Sequence, residues 1–305
     1  MGFPEDEARE NALRRWAVIL AGGSGKRLHS LTRRMYGEDR PKQFCSFFGG
    51  RTLLGNTRAR IARVIAPERT MYAMMKDHAG YYRQELAGVE SANVLVQPTD
   101  RGTTAAIAYS LAQIAAVDDN ATAGFFPADH HFTDESAFTS AVDRAYSLAH
   151  LHSDKVLLLG AQPERPEVEY GWIEPGAAIP GGSRDGLSRD REGRDRTGSD
   201  AMFRVNRFWE KPSLDAARGL LDRGCLWNTF VMVGRVRAFL DLLRKAIPAG
   251  TPVFGDFSKQ VLSALPDRLA VLRLDNVGWS DLGTPERVMA AAGGAGRAGV
   301  PLTAA

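Results

Sequence analysis

Five short apolar runs, Trp16 to Ala21, Thr70 to Met75, Val94 to Gln97, Phe125 to Ala128 and Val156 to Gly160, are separated by periodic stretches long enough for helices. No other feature constrains the fold as tightly. Strands alternating with helices of that length connect as βαβ units and give a parallel sheet covered on both faces. The chain is expected to be α/β. In such sheets ligands sit beyond the carboxyl ends of the strands. The conspicuous polar residues, in the Gly22 to Gly25 turn, at Gln97 and at Asp129, fall at those ends.

After Gly160 the texture changes. Tyr170 to Pro175 and Met202 to Glu210 read as the two strands of a long hairpin. Between them, residues 181–200 mix Gly, Ser, Arg and Asp with a single apolar residue, Leu187, and read as a solvated, flexible loop. A helix at Leu214 to Leu221, a strand at Leu226 to Val233, helices around Val236 to Ala246 and Phe257 to Leu265, and a strand at Leu269 to Leu274 follow. This organisation gives a leader over 1–15, one domain over 16–292 with a loop insertion at 177–201, and a Gly- and Ala-rich tail over 293–305 that frays.

Charge and cysteine usage narrow the function. The formal net charge is +3, without a Lys/Arg run, and the arginines of the 181–200 loop are balanced by acids with no aromatic residues among them. Nucleic acid is therefore not an expected partner, whereas an anionic small molecule held by a few placed cations is. Two cysteines, Cys45 and Cys225, far apart and in no metal-ligand spacing, suit a reducing cytoplasm. Arg14-Arg15 ahead of an apolar run has the look of an export signal. That run stops at Gly22, however, and Glu5, Asp6, Glu7 and Glu10 precede it, so it reads as a buried strand. No apolar stretch approaches the roughly 20 residues that span a bilayer.

The turn Gly22-Gly23-Ser24-Gly25-Lys26-Arg27 fits none of three familiar motifs. With Gly25-Lys26 as its pair, a P-loop needs glycine at position 20 and Ser or Thr at 27, where Leu20 and Arg27 stand. A dinucleotide fingerprint from Gly23 needs glycine at Leu28, and a nucleophile elbow around Ser24 needs it at Lys26. Two readings stay open. Either backbone N–H groups approach a phosphate unobstructed by Cβ atoms, with the cations neutralising it, or this is a strand-to-loop turn with two solvated cations.

Further motifs follow in order: Arg40-Pro41-Lys42-Gln43-Phe44, Gln97-Pro98-Thr99-Asp100-Arg101-Gly102-Thr103, Phe126-Pro127-Ala128-Asp129-His130, Glu169-Tyr170-Gly171-Trp172-Ile173, Trp209-Glu210-Lys211-Pro212, Leu226-Trp227-Asn228-Thr229 and Gly278-Trp279-Ser280-Asp281. Together with the glycine turn they resemble the sugar-1-phosphate nucleotidyltransferases, most closely the mannose-1-phosphate guanylyltransferases, from Trp16 to about Thr284. The resemblance implies the nucleotide-diphospho-sugar transferase fold, a Rossmann-like mixed, mostly parallel sheet flanked by helices. It also implies Mg²⁺-dependent transfer of a nucleotidyl group from a nucleoside triphosphate, GTP favoured, to mannose 1-phosphate. Homodimerisation is implied by family analogy alone, and neither a membrane nor a nucleic acid is implied as partner.

Residue roles carry over by motif. Arg27, Lys42 and Asp129 match the catalytic positions, and Asp129 with Asp281 the two carboxylates that hold the metal. Leu20, Ala21, Gly22, Gly23, Gly25, Gln97 and Gly102 correspond to nucleotide-binding positions. Lys211 would take the sugar phosphate, and Glu210, Gly171 and Asn228 the hydroxyls. Mg²⁺ is typically held by one or two carboxylates with substrate phosphates and water, so a distant aspartate pair is sensible chemistry. The six histidines show no complete ligand set and receive no catalytic role, and the five tryptophans read as packing.

Several positions depart from the family pattern: His29-Ser30 for Trp-Pro, a longer loop from Met35 to Arg40, Val168-Glu169 for Thr-Gly, and Thr229 for Ser. They leave the reaction type intact and bear on the substrates, so thymidylyl, uridylyl or adenylyl transfer to another sugar phosphate stays open. A fused isomerase domain and a second activity are not expected. A non-catalytic sugar-nucleotide sensor would be expected to lose metal ligands or phosphate-binding cations, yet Arg27, Lys42, Asp129, Lys211 and Asp281 are all present.

Overall fold

A computed structural model describes residues 12–179 and 201–294. Residues 1–11 of the leader, the whole charged loop 181–200 and residues 295–305 of the tail lie outside the described residues. The strands are β1 (Arg15–Leu20), β2 (Thr70–Met75), β3 (Val94–Gln97), β4 (Thr122–Pro127), β5 (His131–Phe132), β6 (Val156–Ala161), β7 (Gly171–Ala178), β8 (Met202–Glu210), β9 (Leu226–Arg235), β10 (Leu269–Leu274) and β11 (Trp279–Ser280). Backbone packing groups the chain into two compact units, with β4 passing from one to the other.

The first unit comprises Ala17–Asp100, Phe126–Thr139 and Val277–Ala305. Here β1, β2 and β3 run parallel, with Ile19 opposite Tyr72 and Met75 opposite Gln97. Every residue of β2 is buried, as expected for a strand covered on both faces. The helices His29–Tyr36 and Leu53–Ile61 follow β1, and Ala79–Glu85 follows β2. One core cluster joins Ile19, Phe44, Leu54, Tyr72, Met74 and Tyr82. A second joins Leu28, Leu31, Cys45, Leu53, Leu282 and Val288, and so fastens the C-terminal helix Pro285–Gly294 beside the start of His29–Tyr36.

The second unit comprises Met1–Trp16, Arg101–Phe125 and Ser140–Asn276. Its strands are ordered β4-β9-β6-β10-β8-β7. The expected hairpin is present, with Gly171 opposite Glu210 and Trp172 opposite Trp209. Helices Gly102–Val117 and Val236–Ala246 belong to this unit, and Phe125 meets Phe239 edge to face at 5.1 Å. Where a helix was expected around Phe257 to Leu265, a single π-type turn, Ser258–Leu262, forms instead. The Ser263 hydroxyl donates to Ser258 O at 2.6 Å in place of a continued helical ladder.

The fold is a mixed α/β sheet flanked by helices, as expected. Its parallel pairings include β1–β2–β3 and β6–β10, while β9 runs antiparallel to β4, β6 and β7. The antiparallel share exceeds that of the mostly parallel sheet the sequence suggests, because an apolar run fixes a strand but not its direction.

Candidate active site

The glycine turn begins where β1 ends. Leu20 O accepts the Ala128 N–H at 2.9 Å, and Ala21 N–H donates to Ala73 O at 2.9 Å. The buried Gln43 then ties the turn from below, its Nε2 donating to Ala21 O at 2.9 Å and to Gly23 O at 2.8 Å. Gly25 is required by the fold itself: its φ is +66° and a Cβ there would lie 2.9 Å from Lys42 N. At Gly22 a Cβ would make only ordinary contact with Met75, and at Gly23 it would meet nothing within 4 Å. Among the described residues no atom demands glycine at position 23. The backbone there is open, as it also is at Gly37 and Gly88.

Four of the residues singled out by sequence converge in this unit. Lys42, on the short turn Lys42–Phe44, donates through Nζ to Asp281 O at 2.5 Å and pairs with Asp129 Oδ2 at 3.1 Å. Arg27 Nη2 lies 3.6 Å from Asp281 Oδ2, with half its side chain exposed. Two tiny strands bring the aspartates together. β5 pairs with β11, placing Ser280 opposite His131, so Asp129 and Asp281 emerge side by side from one end of that ladder. Asp129 is further fixed through Ala128, whose carbonyl accepts from the buried Thr57 hydroxyl at 3.1 Å.

Sequence reasoning missed Arg287. From the C-terminal helix it donates through Nη1 to Asp281 Oδ1 at 2.8 Å, and Gly283 N–H donates to the same oxygen at 2.8 Å. Burial alone would raise the Asp281 pKa, but Lys42, Arg287, His130 and the Gly283 N–H together hold it below the ordinary 3.8. Asp281 is thus a carboxylate at neutral pH. Gly283 is glycine for a visible reason: a Cβ there would sit 2.5 Å from Asp281 Oδ2 and 3.0 Å from the guanidinium groups of Arg27 and Arg287. The backbone between is strained, with Leu282 at φ +49°.

His130 takes no charge here. Burial pushes its pKa down to about 4, and its Nδ1 accepts from Trp279 Nε1 at 3.2 Å. The histidine is a neutral brace between β11 and Asp129, and Trp279 packs edge to face against it. Gln97 also belongs to this unit, partly exposed at the end of β3.

The remaining predicted residues lie in the second unit. Gly102 opens its helix at φ +78°, and a Cβ there would come 2.3 Å from Gly255 O. Its lack of a side chain is therefore explained by close packing on the Gly255 loop. Gly171, Glu210 and Asn228 come together: a Cβ on Gly171 would touch Glu210 Oε2 at 3.0 Å and Asn228 Cβ at 3.3 Å. Asn228 is buried, with Oδ1 accepting from Phe230 N–H at 3.1 Å, at a point where Phe230 has φ +57°. Lys211 is exposed at φ +49°, its N–H donating to Tyr170 O at 3.2 Å. Burial, then the neighbouring Asp256, raises the Glu210 pKa to about 7 against the lowering pull of Lys211 and Lys259. A carboxyl group poised near neutrality accepts or donates a hydrogen bond to a hydroxyl.

A model of the nucleotidyl transferase family matches residues 16–295. Over 235 residues the chain is 33% identical to the xanthan biosynthesis protein XanB of Xanthomonas campestris, covering 76% of this chain and 44% of that protein. It is 29% identical over 267 residues to the mannose-1-phosphate guanylyltransferase of Escherichia coli, covering 85% of this chain and 50% of that one. The chain thus spans about half the length of these curated relatives. A solved structure of a mannose-1-phosphate geranyltransferase from Thermus thermophilus superposes with a TM-score of 0.72 at 29% identity, covering 90% of this chain and 79% of that one. No helix among the described residues is long and apolar enough to cross a membrane. With the match running from the first buried strand through the C-terminal helix that carries Arg287, the chain belongs to the nucleotidyl transferase family.

Proposed function

We propose that the protein transfers a nucleotidyl group from a nucleoside triphosphate to a sugar 1-phosphate, with GTP and mannose 1-phosphate as the pair. A phosphate oxygen of the sugar phosphate bonds to the α-phosphorus in line. The bond from that phosphorus to the bridging oxygen breaks, and pyrophosphate leaves. The observation that carries this reading is the meeting of Lys42, Asp129, Asp281 and Arg27 beside the open Gly22-Gly23 backbone.

Such a reaction needs alignment and charge neutralisation more than a side-chain nucleophile. In this reading the turn offers backbone N–H donors to the triphosphate, and Lys42 and Arg27 neutralise the charge that grows on the leaving group. Lys42 is held in place by both aspartate residues, so its ammonium needs little reorganisation. Gln97 and Gly102 would read the base edge; an amide supplies a donor and an acceptor and suits several bases. Lys211 would take the sugar phosphate, and Glu210, Gly171 and Asn228 the hydroxyls.

Asp129 and Asp281 would hold Mg²⁺. The donor set fits that ion: Lys42 joins the Asp129 carboxylate to the main-chain carbonyl of Asp281, which brings two aspartates to one point, and no group of three His, Cys, Asp or Glu side chains forms a protein-only cage among the described residues. When bound, the ion neutralises phosphate charge and polarises the phosphoryl oxygen. The choice of GTP and mannose 1-phosphate rests on the motif resemblance and the names of the relatives. Pyrophosphate release from four nucleoside triphosphates, each with mannose, glucose and galactose 1-phosphates, tests it. A signal confined to GTP with mannose 1-phosphate and abolished by chelator is expected, and silence for every pair would refute transfer.

A further inference from the structure

A cavity of about 730 Å³ lies in the first unit and takes no wall from Arg27, Lys42, Asp129 or Asp281. Its volume is that of a small-ligand site. Three arginines, Arg40, Arg51 and Arg58, line it together with Phe44, Tyr72 and Tyr81. Arg58 is pre-set. Its Nε donates to the Tyr72 hydroxyl at 3.2 Å and its Nη1 to Glu85 O, so the guanidinium is held rigid with Nη2 left over among the described residues. Arg51, exposed at the rim, has no carboxylate partner among the described residues. Arg40 packs over Tyr81 at 5.4 Å, and Tyr81 stacks on Phe44 at 5.4 Å. The one acid in the wall, Glu85, is engaged by the Thr52 hydroxyl, and burial raises its pKa. A fixed guanidinium, an unpaired one and aromatic edges recognise a phosphate joined to a polar ring.

The wall of this cavity touches the catalytic cluster at two points. Phe44 closes the same short turn that carries Lys42 and Gln43, and Gln43 anchors the glycine turn. Gly55, Arg58 and Ala59 lie on helix Leu53–Ile61, whose Thr57 holds the carbonyl before Asp129. A ligand that orders Phe44 and this helix also orders Lys42 and Asp129.

We propose that this cavity is a regulatory site for a phosphorylated sugar, free or as a sugar nucleotide, whose occupancy changes turnover at the Lys42 cluster. The rate readout rests on the transfer reading above; the binding readout does not. Calorimetric titration of the full chain uses mannose 6-phosphate, GDP-mannose and inorganic phosphate as probes, with Arg51→Glu, Ala59→Trp and Lys42→Ala as variants. At least one sugar-bearing probe is expected to bind in a way that Arg51→Glu and Ala59→Trp each weaken by about tenfold or more while Lys42→Ala leaves it within about threefold. Loss with mannose 6-phosphate identifies the free sugar phosphate as the source, and loss with GDP-mannose alone identifies the sugar nucleotide. The same probe is expected to change pyrophosphate release at saturating substrates, and both cavity variants to lose that response while keeping the basal rate. The proposal is overturned if no probe binds, if binding is lost only in Lys42→Ala, or if inorganic phosphate alone binds. Binding that leaves turnover unchanged in an active enzyme overturns the regulatory role. An inactive enzyme leaves the binding arm to decide the site and counts against the transfer reading instead.

Discussion

Replacing Arg287 by alanine removes a cation from one of the least accessible ion pairs of the cluster. The two side chains keep only 11% and 13% of their surface exposed, with Nη1 and Oδ1 2.8 Å apart. Two unit charges near 4 Å attract by about 4 kcal/mol at an effective dielectric of about 20. Truncating one partner of a buried pair costs about 3–5 kcal/mol, most of it from the charge left behind. Asp281 is not left alone, since the Gly283 N–H still reaches Oδ1 and Lys42 still lowers its pKa. The loss should therefore be about 2 kcal/mol, below the range for an isolated buried charge. For a chain of 305 residues that is a fall of about 3 °C in melting temperature. Denaturant unfolding measures the first and calorimetry the second. The same variant should raise the Mg²⁺ concentration needed for half-maximal turnover by about three- to tenfold, because a carboxylate held at Oδ1 by the Gly283 N–H alone rotates more freely. Arg287→Lys should recover part of both losses. Unchanged stability and an unchanged Mg²⁺ requirement in Arg287→Ala would refute the argument that Arg287 positions Asp281.

Three other outcomes are expected. Gly23→Ala should fold like the parent, since its Cβ meets no protein atom within 4 Å, yet lose nucleotide affinity in a binding titration; Gly25→Ala, strained and blocked by Lys42 N, should lose stability by about 1–3 kcal/mol as well. Glu210 has its folded pKa raised from 4.5 to about 7, so its contribution to stability is fully present below pH 4.5 and is lost as pH rises through about 7; Glu210→Gln should flatten that part of the unfolding profile. Thr57→Val, which deletes the buried hydroxyl bond to Ala128 O, should lower stability by about 1–2 kcal/mol and slow turnover without changing which nucleotide is used.

The strands of the first unit and the hairpin were legible because period and run length report burial directly. Gly22, Lys42, Asp129 and Asp281 were legible as motif positions, and the structure brings the last three to one point. What makes them meet was not. β5 and β11 are two residues each, too short for any periodicity, yet their pairing is what sets Asp129 beside Asp281. Arg287 reads in sequence as one more surface arginine in the first turns of a helix. Only packing of Val288 against Leu28 and Leu31 turns it inward to Asp281. The Gly102 turn shows the opposite case, a predicted binding glycine whose conformation already has a packing cause in Gly255. The arginine-lined cavity has no linear signature, because its walls come from segments spread over residues 40–85.

The most direct test of the account follows the label from GTP carrying radioactive α-phosphate or γ-phosphate, incubated with mannose 1-phosphate and Mg²⁺. The account predicts that the α-label moves into a sugar nucleotide and the γ-label into pyrophosphate in equal amounts, and that Lys42→Ala suppresses both. Label recovered as GMP or orthophosphate, or transfer that survives Lys42→Ala undiminished, would contradict it.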